Sequence, residues 1–211
     1  QTINSYKVIL LLEDGFWRVR HIQKNDSQLI VEGEANNTNI NFKPIKGINY
    51  YSQNTPWFKF WENFDIKVVS NDFEIVNSLG LNTIRIFIPF EQFGKEKVRV
   101  DKLEKLKLLL DEAQLKGLQV VVTFFDFYSS YEVSQYALCQ SHLQQIIETI
   151  KSHPAVIQYD LKNEPDLDFD SRGQHNVQSW LENMINHIKS LDQSHLVTIG
   201  WSNAQSATIL K

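Results

Sequence analysis

Cysteine occurs once in this sequence of 211 residues, at Cys139, so no internal disulfide can staple the fold and the redox compartment stays open. Long apolar stretches are missing as well: no run reaches the 18 or so residues that read as a transmembrane helix. There is no excess of positive charge. Lys and Arg number 21 against 25 Asp and Glu, a formal charge of -4, and the basic residues are scattered where nucleic-acid binders cluster theirs. The densest group, Lys102, Lys105 and Lys107, is interleaved with Glu104 and leucines and reads as the solvated face of a helix. The six histidines are dispersed, with no His-x-x-x-His or Cys-x-x-Cys spacing, so neither a metal site nor a metal cofactor is expected. No Gly-x-Gly-x-x-Gly follows an apolar run and no Gly-x-Ser-x-Gly elbow exists, which argues against a dinucleotide domain and a serine nucleophile. No signal-peptide pattern is visible at Gln1. The glycosylation triplets at Asn25 and Asn36 are of a kind that chance supplies often.

What is present is an ordinary globular composition, 42% hydrophobic and 22% charged, in a chain long enough for one domain or one and a half. Residues 1–45 differ from the rest. Tyr6–Leu12, Phe16–Gln23 and Gln28–Glu32 are short β-type runs, the first two separated by the hairpin signal Asp14-Gly15. The polar stretch Asn36-Asn37-Thr38-Asn39 then leads to Lys43-Pro44. This segment reads as the end of an accessory β-domain or as an N-terminal cover.

From residue 46 a regular beat begins. Strand-like runs start at residues 46, 82, 119, 156 and 196, separations of 36, 37, 37 and 40 residues. Between them lie helical patterns: Asp72–Leu79 closed by Gly80, Lys102–Lys116 closed by Gly117, a run to Ser152 stopped by Pro154, and Val177–Leu191. Glycine just past a helix and proline beyond it are stop signals. Near-continuous apolar strands alternating with amphipathic helices predict an α/β fold with a parallel sheet covered by helices. The length of the beat suits a (β/α)8 TIM-barrel type, with a doubly wound sheet as the alternative. Only strands 1–5 of such a barrel fit in residues 46–211. Three more units would need roughly 110 further residues.

Barrel chemistry sits at the C-terminal ends of the strands. That rule selects Asn49 and Tyr50 after the first, Arg85 within the second, Asp126 and Tyr128 after the third, Asn163 and Glu164 after the fourth, and Trp201 and Ser202 after the fifth. Arg85 breaks a β-branched run, and burying it without a partner would cost several kcal/mol. It either points into the mouth to hold a carboxylate ionised or makes a structural ion pair, with Asp160 the candidate. Glu164 reads as a general acid and base, a buried glutamate whose proton is held by its surroundings; the plainer reading is a helix start at Glu-Pro-Asp. Asn163 can donate to a sugar hydroxyl. Asp126 lines the cleft or caps the next segment. Trp57, Trp61 and Trp201 are candidates to stack on sugar rings, as are Tyr50 and Tyr128, while Phe58 and Phe60 are expected in the core.

These residues resemble the retaining glycoside hydrolases of clan A, most closely the family 5 cellulase and mannanase group. The likeness covers about residues 46–211. It rests on Gly47-Ile48-Asn49-Tyr50, Asn82-Thr83-Ile84-Arg85-Ile86, Asp160-Leu161-Lys162-Asn163-Glu164-Pro165, and Leu191-Asp192 through Val197-Thr198-Ile199-Gly200-Trp201. The resemblance implies that Glu164 is the acid/base, that Asn163 ends strand 4 beside it, and that Arg85 supports the nucleophile. It implies a β-linked polysaccharide or oligosaccharide as substrate and a secreted, periplasmic or cell-surface location. Two departures stand out. The family often carries Asp-x-His after strand 3, where this chain has Asp126-Phe127-Tyr128. Its nucleophilic glutamate ends strand 7, which would lie beyond Lys211.

Three functions therefore compete: a retaining β-glycosidase, a carbohydrate-binding or scaffolding half-barrel without chemistry, and a metal hydrolase built on Asp126 and Glu164. A carbohydrate is the expected partner, nucleic acid is not, and open sheet edges would favour self-association.

Overall fold

The computed structural model describes the backbone of residues 6–13 and 16–24 and the whole of residues 44–210. The run Gln28–Glu32, the Asp14-Gly15 turn and the polar stretch at residues 36–39 lie outside the described residues. The chain divides into two units, Gln1–Lys43 and Pro44–Lys211. In the first, β1 (Tyr6–Glu13) and β2 (Phe16–Lys24) pair antiparallel from Glu13↔Phe16 to Tyr6↔Lys24, with a bulge between Ile9 and Leu10.

The second unit is a five-stranded parallel sheet in sequence order: β3 (Gly47–Asn49), β4 (Thr83–Pro89), β5 (Gln119–Asp126), β6 (Val156–Asn163) and β7 (Leu196–Gly200). Helices α2 (Ile66–Ser78), α3 (Val100–Leu115), α4 (Tyr136–Ile150) and α6 (Gln174–Leu191) cross between consecutive strands. Consecutive strands that are also neighbours mean every crossover returns in the same direction, which curls a right-twisted sheet toward a barrel. Two short helices, α1 (Phe58–Glu62) and α5 (Phe169–Arg172), sit in the loops after β3 and β6.

Local chemistry explains the boundaries. Asp65 caps α2 by accepting from the Lys67 amide at 2.9 Å. Gly80 and Gly117, at φ 73° and 70°, take the left-handed position past α2 and α3, where a Cβ would be strained. On β4 the alternate residues Ile84, Ile86 and Ile88 are wholly buried, one period-2 face. They meet Val69, Phe73, Leu106, Leu109, Leu110, Leu143 and Ile146 in one core. Each such side chain contributes about 1.5–3 kcal/mol by leaving water.

Lys102 departs from expectation. It is fully buried, its Nζ donating to the Trp61 carbonyl at 3.0 Å and to Glu62 Oε1 at 2.8 Å. Lys105 Nζ reaches the same carbonyl at 2.9 Å. The end of α1 leaves carbonyls without helical partners, and two lysines of the helix read as solvated turn inward to meet one of them. Phe58 departs too, at 51% exposed. No described helix is long and apolar enough to cross a membrane.

Candidate active site

The strand ends converge on one guanidinium. Arg85, midway along β4, sends Nε to Asp160 Oδ2 at 2.8 Å, and its Nη2 contacts the same oxygen. Nη2 also donates to Asn163 Oδ1 at 3.0 Å, and Nη1 to Asn49 Oδ1 at 3.3 Å. Thr123 of β5 adds its hydroxyl to Asp160 Oδ2 at 2.9 Å. The guanidinium fork thus ties β3, β4 and β6 together, a task its five fixed donors suit, and Asp160 adds β5 through Thr123. Asp160 is 1% exposed; burial raises its carboxyl above the usual range against the pull of Arg85 and Thr123. Arg85 therefore has Asp160 for its ion-pair partner.

The fork also orients Asn163. Since Arg85 can only donate, the amide must turn its oxygen toward the guanidinium. The two N–H groups of Asn163 then face the other way, available to an acceptor beside Glu164.

Glu164 leaves β6 in the left-handed region, φ 49° and ψ 50°, a conformation that costs a non-glycine residue roughly 1–2 kcal/mol. Its amide donates to the Gly200 carbonyl of β7. Downstream, the Asp166 carboxylate accepts from the Ser202 amide (3.0 Å), the Ser202 hydroxyl (2.9 Å) and the Asn203 amide (3.2 Å). Tyr131 donates to Asp168, whose carboxylate lies 3.8 Å from Lys162 Nζ. The strained residue is clamped from both neighbouring loops. Its side chain is exposed, which corrects the expectation of a buried glutamate: the left-handed turn carries it out of the strand at the lip of the sheet.

Gly200 has its own reason. A Cβ there would lie 2.6 Å from Arg85 Nη2 and 3.3 Å from Asp160 Oδ2, so a side chain and the ion pair cannot share the space.

Beyond this fork the interior is aromatic. The Arg85 guanidinium lies 4.6 Å from the Phe87 ring centroid, and Tyr51 stacks on Phe87 at 5.0 Å and 13°. The Tyr51 hydroxyl donates to Asp126 Oδ2 at 2.9 Å. Burial raises the Asp126 carboxyl, opposed by Tyr51, Lys162 and Arg85. Lys162 is the counterpart: burial lowers its ammonium, opposed by Asp168, Asp126 and Asp160.

Of the aromatic candidates, Trp57 is 58% exposed and Trp201 half-buried. Three others face inward. Tyr50 packs between Phe60 and Phe73 and donates to Asp72 at 2.9 Å. Trp61 is fully buried with its indole N–H on the Phe87 carbonyl at 2.7 Å. Tyr128 is buried against Trp180, its hydroxyl 3.1 Å from Cys139 Sγ. All three rings are packed against neighbouring aromatics, and Tyr128 also lines a cavity between the loops after β4 and β5. Thr123, Lys162 and Gly200 were given no role by the sequence reading, which placed Tyr51 only among the aromatics of the barrel mouth. A small or polar residue at a strand's C-terminal end is the signal they carried.

A parallel βα array with its polar residues gathered at the strand ends fits a partial (β/α)8 barrel. The family model for cellulase, glycosyl hydrolase family 5, matches residues 34–210, and the chain belongs to that family. Among curated relatives, mannan endo-1,4-beta-mannosidase A of Emericella nidulans is 23% identical over 209 residues, covering 82% of this chain and 51% of the relative. Mannan endo-1,4-beta-mannosidase 8 of rice is 40% identical over 53 residues, 25% of this chain and 14% of the relative. Among solved structures, the exo-beta-1,4-mannosidase of Opitutaceae bacterium strain TAV5 superposes with a TM-score of 0.66 at 21% identity, over 76% of this chain and 32% of that one. A GH5_18 protein of Streptomyces cattleya in complex with GlcNAc gives 0.62 at 19%, over 74% and 44%. The chain spans about half the length of the first of these relatives.

Proposed function

We propose that the protein hydrolyses O-glycosidic bonds in a β-linked polysaccharide by retaining double displacement, with Glu164 as acid/base. The observation that carries this is the Arg85 fork. It fixes Asn163 beside a glutamate that is exposed at the strand lip and held in a strained backbone from both sides. Strain kept at one exposed acid, and braced by neighbours, is the mark of a positioned functional group.

In the first step Glu164 gives its proton to the departing glycosidic oxygen as a carboxylate attacks the anomeric carbon. In the second it takes a proton from the water that releases the sugar. Asn163 donates to the hydroxyl beside the reacting carbon. Asp126 and Asp160 are engaged with Tyr51 and with Arg85, and the family resemblance gives the nucleophile's role to a glutamate ending strand 7 of the barrel, which is not among the five strands described. The curated relatives named above are mannan endo-1,4-beta-mannosidases, which makes β-1,4-mannan the first substrate to try.

The test is stereochemical. Protein expressed from its complete reading frame is mixed with β-1,4-mannan or β-1,4-glucan, and the first-formed anomer is followed by proton NMR. Initial β-anomer supports the reading. Initial α-anomer replaces it with an inverting mechanism, and no product from either polymer removes it.

A further inference from the structure

Among the described residues two lysines are buried, Lys102 and Lys162, and an ammonium taken out of water must be answered by the atoms around it. Lys102 is answered at a helix end, by Trp61 and Glu62. Lys162 is answered in the turn that carries Glu164. It stands two residues before that glutamate, near the end of β6, with its side chain 4% exposed. Nζ donates to the Asn163 carbonyl at 3.3 Å and lies 3.8 Å from Asp168 Oδ2. One ammonium therefore faces both the residue before Glu164 and the last residue of the single turn Pro165–Asp168 that follows it.

The bond to Asn163 falls on the peptide that leads into Glu164. Its carbonyl meets Lys162 Nζ, and its N–H, that of Glu164, donates to the Gly200 carbonyl. Glu164 holds φ 49°, and rotating this peptide is a route back to the broadly allowed region. Here the rotation would break both bonds. The far side of the turn is tied as well: the Leu167 amide donates to the Glu164 carbonyl at 3.2 Å, and Tyr131 of the loop after β5 donates to Asp168. Burial disfavours the ammonium, while Asp168, Asp126, Asp160 and Glu164 favour it. A neutral side chain of similar length would fill the space and hold neither end. The Arg85 fork fixes the side chain of Asn163; Lys162 fixes its main chain.

We propose that Lys162 is the positioning residue of the acid: its ammonium staples the two ends of the turn at Glu164, so that the carboxyl meets the departing oxygen in one place. The inference rests on the assignment of Glu164 as acid/base and adds the group that aims it. Lys162 makes no contact with substrate on this account, since its side chain is almost wholly covered. The staple acts where Glu164 protonates the leaving sugar, a step in which a misplacement of about 1 Å can cost about 10²-fold.

The test separates aiming from folding by the leaving group. Protein from the complete reading frame is assayed on two substrates of the sugar that the parent cleaves. One is β-1,4-mannohexaose or cellohexaose, whose departing sugar needs a proton. The other is the 2,4-dinitrophenyl β-glycoside of the matching disaccharide, whose phenolate leaves without one. Lys162→Met should lose at least about tenfold in kcat/KM on the hexamer and less than about threefold on the aryl glycoside. Tyr131→Phe loosens only the far end of the staple and should show the same split at about threefold on the hexamer. Equal losses on both substrates, or none, in Lys162→Met overturn the staple, since a merely structural lysine affects both alike. If Lys162→Met does not fold, Tyr131→Phe decides by the same criterion. Glu164→Gln is run alongside: a split there with none in the other variants overturns the Lys162 inference alone, and no split in Glu164→Gln overturns the acid/base reading with it.

Discussion

Gly200→Ala puts a number on the Arg85 fork. The added methyl carbon would stand 2.6 Å from Arg85 Nη2, 3.3 Å from Asp160 Oδ2 and 3.5 Å from Arg85 Cζ. Ordinary contact needs about 3.5 Å, so the guanidinium must retreat by nearly 1 Å. It is not free to do so, since Nε is held at 2.8 Å by Asp160 and Nη2 at 3.0 Å by Asn163. Overpacking of this kind costs about 1–3 kcal/mol. Against it stands the ~0.4–1 kcal/mol that alanine contributes by restricting the unfolded chain. The net expectation is a loss of about 1–2 kcal/mol, or about 3–6 °C in Tm for a chain of this size. The assay is urea unfolding followed by tryptophan fluorescence, with Gly200→Ala made in the parent and in an Arg85→Met/Asp160→Asn background. In that background the clash is gone, and Gly200→Ala should be neutral or stabilise by up to ~1 kcal/mol. An equal loss in both backgrounds, or none in the parent, refutes the steric argument.

His142 and Lys102 test the core. His142 is fully buried, Nδ1 sits 2.6 Å from the Lys95 carbonyl, and burial lowers its pKa to about 4. A folded pKa below the unfolded ~6.5 means its stabilisation is full above pH ~6.5 and declines as pH falls toward 4. Stability should drop by about 2 kcal/mol between pH 7 and 5 on this account, and His142→Gln should flatten that slope in urea titrations at each pH. A slope equal to the parent's would contradict the assignment. For Lys102, the alkyl stem is buried and Lys105 also reaches the Trp61 carbonyl. Lys102→Met should therefore cost less than about 1.5 kcal/mol and Lys102→Ala about 2–5. The reverse order would show that the ammonium, not the stem, holds α1 to α3.

The βα beat was legible because its punctuation is local. Gly80, Gly117 and Pro154 stop helices by backbone chemistry that needs no tertiary knowledge, and the five strands begin within a residue of where the apolar runs begin. The Arg85–Asp160 pair was legible for a different reason: a charge inside a β-branched run must find a partner. What stayed hidden depends on neighbours far along the chain. Lys102 looks solvated until Trp61 presents a carbonyl to it from 41 residues away. Helix α2 begins at Ile66, six residues before the expected Asp72, because its signal is the Asp65 cap and not apolar spacing. The five-residue α1 has no side-chain cap at its start, so nothing local announced it. The exposure of Glu164 and Phe127 follows from left-handed backbones that no side-chain pattern encodes.

The central claim is that Glu164 moves the proton. The direct measurement is kcat/KM on β-1,4-mannan for the parent, Glu164→Gln and Glu164→Ala, the last with and without added azide. General acid–base catalysis contributes about 10²–10⁴-fold, so both variants should lose at least a hundredfold while still binding oligosaccharide. Azide, which attacks the glycosyl-enzyme without needing a base, should restore turnover of an activated aryl β-mannoside by Glu164→Ala and yield the β-azide. Activity of Glu164→Gln within tenfold of the parent would contradict the account.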